Sequence, residues 1–359
     1  MRGTAVSFYE VGALEIIARA ARAIEAQEPA PYRAPVRGVP TGEDVFYSST
    51  HCEEQERTLC PLCGSDAEQL VFEVVDTMFH RPGEYRLVEC EQCSMRYLNP
   101  RPTTAALARH YPNDYLCYTN FDDEHWLLRW AFNRLQQDQA RRRVRQIEKV
   151  TGRLAAGTRV LDVGCGRGEF MARLKRERRC RCTGIDINQA VLERVHGELG
   201  IGVVHGTLAQ AECATASFDL VAMTEYLEHE PRPRQVLEEA QRVVKPGGFL
   251  AIEVPDITGP PGRWFGGHWW QLDAPRHVTF FSPHTLTLML QDCGFEVLRV
   301  KRYGLLMSVG YSLLQAMGFH YFGSNKLAYL TLSAVLGLPS LPLLPLLPDF
   351  MMVVARSRK

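Results

Sequence analysis

The sequence predicts an α/β protein built on a parallel sheet wound on both faces, and three observations predict it. From Thr158 onward, short apolar runs of β type alternate with segments of helical period, the order that sets parallel strands between crossover helices. The first run, Val160, Leu161 and Val163, breaks into Gly164, Gly166 and Gly168 and then into the helical pattern Phe170, Met171, Leu174. A second run, Cys182 to Ile185, ends in an acid, Asp186. Strands are expected near 158–163, 181–186, 202–205, 218–224 and 249–254, with helices between them and Gly247-Gly248 as the turn into the fifth. After Pro283 a helix carrying Leu286 and Leu290 precedes a sixth strand, Phe295 to Val300, and Met351 to Ala355 makes a seventh.

A glycine turn between strand and helix lets backbone approach a ligand and aims a helix N-terminus at it. The plain alternative is a structural turn of no chemical consequence. A carboxylate at Asp186 suits a ribose diol, because it can accept two hydroxyl hydrogen bonds. The spacing is Gly-x-Gly-x-Gly rather than the dinucleotide Gly-x-Gly-x-x-Gly, and Asp162 sits at the strand end before the turn.

In these residues the sequence resembles the class I S-adenosylmethionine (SAM)-dependent methyltransferases. The resemblance implies a Rossmann-like sheet of seven strands whose last strand runs antiparallel, slotted between the fifth and sixth. It also implies SAM as cofactor, with its amino-acid end near Asp162, Gly164, Cys165 and Gly166 and its ribose on Asp186. Gly168, Ile187, Thr207, Leu208 and Thr224 complete the expected cofactor contacts. The acid that often follows the glycine after the third strand is missing from Gly206-Thr207-Leu208, so contact with adenine there falls to backbone or hydroxyl.

The chain of 359 residues has room for one large core and a smaller satellite. Its formal net charge is zero, which disfavours non-specific nucleic-acid binding. Eleven cysteines, an odd number, suit a reducing compartment better than a secreted disulfide scaffold. Glu10 and Glu15 interrupt any apolar leader, so a cytoplasmic enzyme is expected. The organisation expected is a helix (Val11 to Ala26) and proline-marked linker over 1–52, a cysteine-rich unit over 53–112 and a helical connector over 113–156. The main domain follows over 157–303, then an apolar insertion over 304–348 and the last strand over 349–359.

Cys60-Pro-Leu-Cys63 and Cys90-Glu-Gln-Cys93 flank a hairpin pattern that brings the two pairs together. Four thiolates can converge tetrahedrally, the geometry zinc prefers, and a site closed by four sulfurs is structural rather than catalytic. Coincidental buried cysteines or a redox pair are the alternatives. The stretch Arg96 to Pro102 that follows resembles the exit of the zinc ribbon found before some bacterial methyltransferase domains. From Asp122 to Lys149 apolar residues recur at helical spacing, and the run Arg141 to Arg145 is read as a solvated face of that helix in preference to a patch for an anionic substrate.

The fourth strand runs into Thr224-Glu225-Tyr-Leu-Glu228-His229, at the sheet edge where open α/β folds collect ligands. Glu225, Glu228 and His229, at i, i+3 and i+4, share one face if this turn is helical. Two carboxylates and an imidazole suit a hard divalent cation such as Mg²⁺. His229, with Glu228 beside it, is alternatively a metal-free general base, or the group is structural. The string resembles the metal site of ubiquinone-pathway O-methyltransferases. The loop from Gly259 to His277 holds three of the five tryptophans, Trp264, Trp269 and Trp270, and reads either as a lid over an acceptor pocket or as aromatics packed on the domain. Its Pro-Arg-His block, followed by Phe-Ser-Pro283, looks like one shared by many methyltransferases of this group. His277 is therefore the second candidate base and His268 the third.

Between Gly304 and Pro348 the chain is nearly uncharged, but Pro339, Pro342, Pro345 and Pro348 argue against a continuous spanning helix. It is expected to extend the pocket, to form a homodimer interface, or to make peripheral contact with the inner face of a membrane that carries a lipid-linked acceptor. Taken together, the sequence predicts O-methylation of a glycan, lipid-linked or secondary-metabolite acceptor, with SAM and structural Zn²⁺ as cofactors. C- or N-methylation of a nucleotide-linked sugar is the alternative. An RNA base methyltransferase fits less well, since Glu84, Glu89 and Glu91 make the cysteine-rich unit acidic; a non-catalytic SAM-binding scaffold is the remaining reading.

Overall fold

The computed structural model describes residues 45–47, 54–79, 81–111, 126–304, 306–317 and 347–359. The helix expected at Val11 to Ala26, the proline linker after it and most of the Leu327 to Pro348 run lie outside the described residues.

In chain order, the N-terminal part contains β1 (Val45–Tyr47), β2 (Glu54–Glu56), β3 (Glu68–Val75), β4 (Glu84–Cys90), β5 (Arg96–Leu98) and β6 (Arg101–Pro102), followed by α1 (Thr104–Ala108). A long helix, α2 (Trp126–Thr151), leads to β7 (Arg159–Val163), α3 (Glu169–Arg178), β8 (Arg181–Asp186), α4 (Gln189–Leu199) and β9 (Gly202–His205). Next come β10 (Phe218–Thr224), a 3₁₀ turn (Leu227–His229), α5 (Pro233–Val243), β11 (Val244–Pro255), α6 (Pro260–Phe265) and β12 (Thr279–Phe280). The chain closes with α7 (Pro283–Asp292), β13 (Phe295–Tyr303), α8 (Leu306–Ala316) and β14 (Phe350–Ser357).

Seven strands form one mixed sheet in the order β13-β14-β11-β10-β7-β8-β9. The first five in sequence pair in parallel, while β14 lies antiparallel between β11 and β13. That is the order expected from the resemblance. The central strands are apolar on both faces, as a strand covered by helices on each side must be: Val160, Leu161, Val221, Ala222, Ile252 and Val353 are all fully buried. Local chemistry fixes the helix starts. Asn188 caps α4 by accepting from the Val191 amide, and Ser282 with Thr285 forms a capping box at the start of α7, where Pro283 occupies the first turn.

The cysteine-rich unit is not a detached satellite. Its sheet runs β12-β5-β4-β3, so one strand comes from the main domain, with Thr279 opposite Tyr97 and Phe280 opposite Arg96. The aromatic loop shares this joint core: Trp269, Phe265 and Leu272 cluster with Val74, Tyr85, Leu87 and Leu98 of the cysteine-rich unit. Of the two readings of that loop, packing on the domain prevails for Trp269 and Trp270, which are 1% and 7% exposed. The described start of the apolar insertion, α8, packs on the same core through Val309, and Ser312 accepts from the Trp270 amide. Among the described residues no helix is long and apolar enough to cross a membrane.

Candidate active site at the carboxyl ends of the strands

The glycine turn between β7 and α3 is built by backbone geometry that only glycine adopts freely. Gly164, Gly166 and Gly168 have φ of 71°, 47° and 76°. A Cβ on Gly164 would meet the Tyr226 ring at 2.5 Å, and one on Gly168 would press on Leu199 and Val195 of α4. The turn is tied to the next strand. Gly164 and Cys165 amides both donate to the Ile185 carbonyl, and the Gly166 amide donates to Asp186 Oδ2 at 2.9 Å. Asp186 Oδ1 accepts from the Asn188 amide at 3.0 Å, which orients the carboxylate from both sides. Burial pushes the Asp186 carboxyl up, partly offset by those amides.

Asp162 is 2% exposed, and its Oδ1 has no hydrogen-bond partner. Burial raises its pKa to about 7, with Arg143 pulling the other way and Asp186 adding to the rise. An orphaned carboxylate oxygen beside a glycine turn is a place for a cationic ligand group, since a buried polar atom left without a partner is costly. The residues present therefore fit a nucleoside carrying an ammonium or sulfonium: Asp162 for the cation, the turn for close backbone approach, and Asp186 for a diol. Of the other expected contacts, Ile187 is 52% exposed beside Asp186, and Thr224 ends β10. Cys165 turns its sulfur inward against Met171 and Val191, and the Leu208 side chain is buried in the core. Those two positions offer backbone only, and the exposed Thr207 offers its hydroxyl.

The expected common face of Glu225, Glu228 and His229 does not form. Glu225 lies before the 3₁₀ turn in a left-handed conformation, φ 55°, and its carboxylate pairs with Arg143 of α2. Arg143 also holds Glu253 at the end of β11, at 2.7 Å and 2.9 Å. The reading of Arg141 to Arg145 as a solvated face is thus corrected at this residue: Arg143 is 11% exposed and bridges two strand ends. Once an arginine neutralises it, Glu225 is no longer offered to a cation with the other two.

His277 comes to Glu228 and His229 instead. Donor atoms of Glu228, His229 and His277 lie within 4.8 Å of one another, and the two rings meet edge to face at 4.5 Å. Such a group could hold a metal ion. Each imidazole has a carbonyl acceptor at Nδ1, His229 on Arg276 at 3.1 Å and His277 on Gln271 at 2.8 Å. Nδ1–H donation to those carbonyls leaves both Nε2 atoms as lone-pair acceptors. Tyr111, missed in the sequence, also meets His229 Nδ1 at 2.9 Å. Burial lowers both imidazoles to about 3, with each neighbouring positive group adding to the fall. Burial also pushes Glu228, which is 2% exposed and has no partner on either oxygen, well above the usual carboxylate range. His268 is exposed and does not join them.

Sulfurs of Cys60, Cys63, Cys90 and Cys93 also lie within 4.8 Å of one another. Two matching turns present them. The Cys60 amide donates to the Ser65 carbonyl and Gly64 back to Cys60, just as Cys90 donates to Met95 and Ser94 back to Cys90, all at 2.9 Å. Gly64 and Ser94 take the left-handed conformation each turn requires, φ 75° and 59°.

An open sheet with its last strand reversed, a glycine turn after the first strand and an acid ending the second defines a nucleoside-binding α/β enzyme domain. A family model described as "Methyltransferase domain" matches residues 122–300. Ubiquinone biosynthesis O-methyltransferase of Pseudomonas paraeruginosa is 39% identical over 168 residues, 43% of this chain and 71% of that protein. The chain belongs to the SAM-dependent methyltransferase family. A protein of Mycolicibacterium smegmatis named "Probable S-adenosylmethionine-dependent methyltransferase" is 34% identical over 161 residues, 43% of this chain but only 59% of its own length. Among solved structures, Haemonchus contortus phosphoethanolamine N-methyltransferase 2 in complex with SAM shares the fold, with a TM-score of 0.50, 19% identity and coverage of 73% of this chain and 62% of that one.

Proposed function

We propose that this protein transfers the methyl group of SAM to a hydroxyl oxygen of a small or lipid-linked acceptor. The observation that carries this reading is the orphaned Asp162 oxygen beside the glycine turn, together with two imidazoles after the carboxyl ends of the strands whose Nδ1 atoms are each met by a backbone carbonyl. Likeness to ubiquinone biosynthesis O-methyltransferases supports oxygen as the accepting atom. SAM, when bound, supplies an electrophilic methyl group on a sulfonium whose positive charge is lost on transfer.

His229 or His277 takes the acceptor's proton at Nε2, while Nδ1 stays fixed on a backbone carbonyl. A buried imidazole is a poor base on its own. Here its protonation coincides with loss of the sulfonium charge, so the dry site keeps its net charge and the cost of burying a cation is not added. Glu228 beside the pair, kept neutral by burial, adds no negative charge to the site and leaves the acceptor's proton to the imidazole. The four cysteines, by donor chemistry and closure, suit a structural Zn²⁺.

The reading is tested by titrating the protein with SAM in a calorimeter, then measuring S-adenosylhomocysteine release with hydroxyl and amine acceptors. Binding, turnover with hydroxyl compounds, and a drop of about 10²-fold or more in kcat on His229→Gln or His277→Gln with SAM affinity kept are expected. Turnover confined to amines, or no binding heat, would refute it.

A further inference from the structure

The ribbon's grip on the histidine-bearing segments is more specific than a shared core requires. Arg276, immediately before His277, has a guanidinium with no exposed surface. Its Nη1 and Nη2 donate to the two oxygens of Asp76 at 2.9 Å and 2.8 Å, in the fork geometry that arginine offers and lysine does not. Its Nε donates to Asp273 at 2.9 Å, and the Phe79 ring lies against its face at 4.6 Å. Asp76 and Phe79 both belong to the turn after β3, and Asp76 Oδ1 is itself oriented by the Met78 and Phe79 amides. The acid and the arginine stand 200 residues apart in the chain.

What this clamp holds is the carbonyl of Arg276, the acceptor for His229 Nδ1. Tyr111 donates to the same carbonyl at 3.3 Å. On the other side of His277 the chain is strapped again: the Leu98 amide donates to Val278, and the Val278 amide donates to Glu228. Arg101, at the ribbon's exit, reaches the Pro231 carbonyl at 2.6 Å, two residues beyond His229. The segment carrying His277 is therefore pinned by ribbon groups on each side, and the one carrying His229 by Val278 on one side and Arg101 on the other. The cysteines sit at one end of the β3–β4 hairpin, where Glu68 faces Cys90, and Asp76 at the other, just past the Val75–Glu84 pair.

We propose that the ribbon is the positioning element for the proton-accepting histidines, and that Asp76, acting through Arg276, is a positioning residue that sets the ring orientation and tautomer of His229. This deepens the methyltransferase reading and rests on it. Neither Asp76 nor Arg276 touches the glycine turn or Asp186, so their loss is expected to spare cofactor binding while disturbing the histidines.

The test uses the full chain with ¹⁵N-labelled histidine and long-range ¹H–¹⁵N spectra, with His229→Gln and His277→Gln serving only to assign signals. In the unaltered protein both rings show protonated Nδ1 and bare Nε2. In Asp76→Asn, His229 is expected to lose that single pattern and show both tautomers, with SAM affinity by calorimetry unchanged within about twofold. Glu89→Gln, which breaks the Arg96–Glu89 pair elsewhere in the ribbon, leaves both rings as they were. If Asp76→Asn does not fold, Arg101→Met is read instead. It leaves no charge fully buried, because Glu56 is 30% exposed, and it should alter His229 but not His277. A folded variant with unchanged His229 signals, or a parallel fall in SAM affinity, overturns the proposal. Failure of the unaltered protein to bind SAM, with the histidine result intact, would instead strike the reading it rests on.

Discussion

Replacing Asp162 by asparagine should make the protein's stability less sensitive to pH, and the size of the change follows from the burial of that carboxylate. Its ordinary value of 3.8 rises to about 7 in the fold. Between those values the unfolded chain has released the proton while the folded chain still holds it. Raising the pH through this window therefore favours unfolding, and the slope vanishes once the folded group ionises as well. At 1.36 kcal/mol per pKa unit, the native protein should lose about 2 kcal/mol relative to Asp162→Asn between about pH 5.5 and about pH 8. The assay is urea denaturation of both proteins at the two pH values, taking the difference of differences so that all other groups cancel. A gap between the proteins that stays constant with pH would refute the argument. A second consequence can be read by calorimetry in two buffers of different ionisation heat. A cationic cofactor favours the ionised carboxylate, so SAM binding below about pH 7 should release a proton from the native protein that the asparagine variant does not release.

Asp186→Ala removes the acceptor of the Gly166 and Asn188 amides together with the expected diol contact. Hydrogen bonds to a charged group contribute roughly 1.5–3 kcal/mol each, so SAM affinity by calorimetry should fall by about 100-fold or more. A change under about threefold would show that this carboxylate does not touch the cofactor. Cys63→Ser alters the one cysteine of the four that is exposed, so packing is little disturbed. Metal analysis should find zinc in the native protein and a large loss in the variant, with SAM affinity retained; equal zinc in both would remove these cysteines from the site.

The sheet was legible because its signals are local. Strand-length apolar runs and a glycine turn each act within a few residues, and the seven strands of the main sheet lie where such patterns place them, except that β11 starts earlier, at Val244, and carries Gly247-Gly248 within it at a register shift instead of in a turn before it. The geometry expected around Asp162, Gly164, Gly166 and Asp186 was legible for the same reason: they lie on two adjacent strands and on the glycine turn that leaves the first. Glu225 was not. Its spacing to Glu228 and His229 promises a shared face only if the backbone is helical, and its left-handed φ and its capture by Arg143 are decided by packing between α2 and two strand ends. A run of five residues with four arginines looks the same in sequence whether its members meet water or buried acids. Nothing local marks Arg143 as the one turned inward.

The histidine pair shows most sharply where local reading stops. His277 could be singled out from the block it stands in, but the residues gathered around His229 come from three separate stretches: Asp76 after a strand of the cysteine-rich unit, Tyr111 just beyond it, and Arg276 in the aromatic loop. A lone aspartate after a β-strand is an ordinary turn residue, and only the fold reveals that its carboxylate is fully buried against a guanidinium. The same fact explains why the tryptophan-rich loop does not behave as a loop. Gly-rich connections are usually solvated because backbone polar groups need partners. Here the ribbon supplies both the apolar surface for Trp269 and the carboxylate for Arg276, so the segment between β11 and β12 becomes interior. A methyltransferase domain lacking the ribbon would leave Arg276 with a single buried carboxylate and Trp269 without its apolar cover. The cysteine-rich unit is thus required for the surroundings of His229 and His277 to exist in this form.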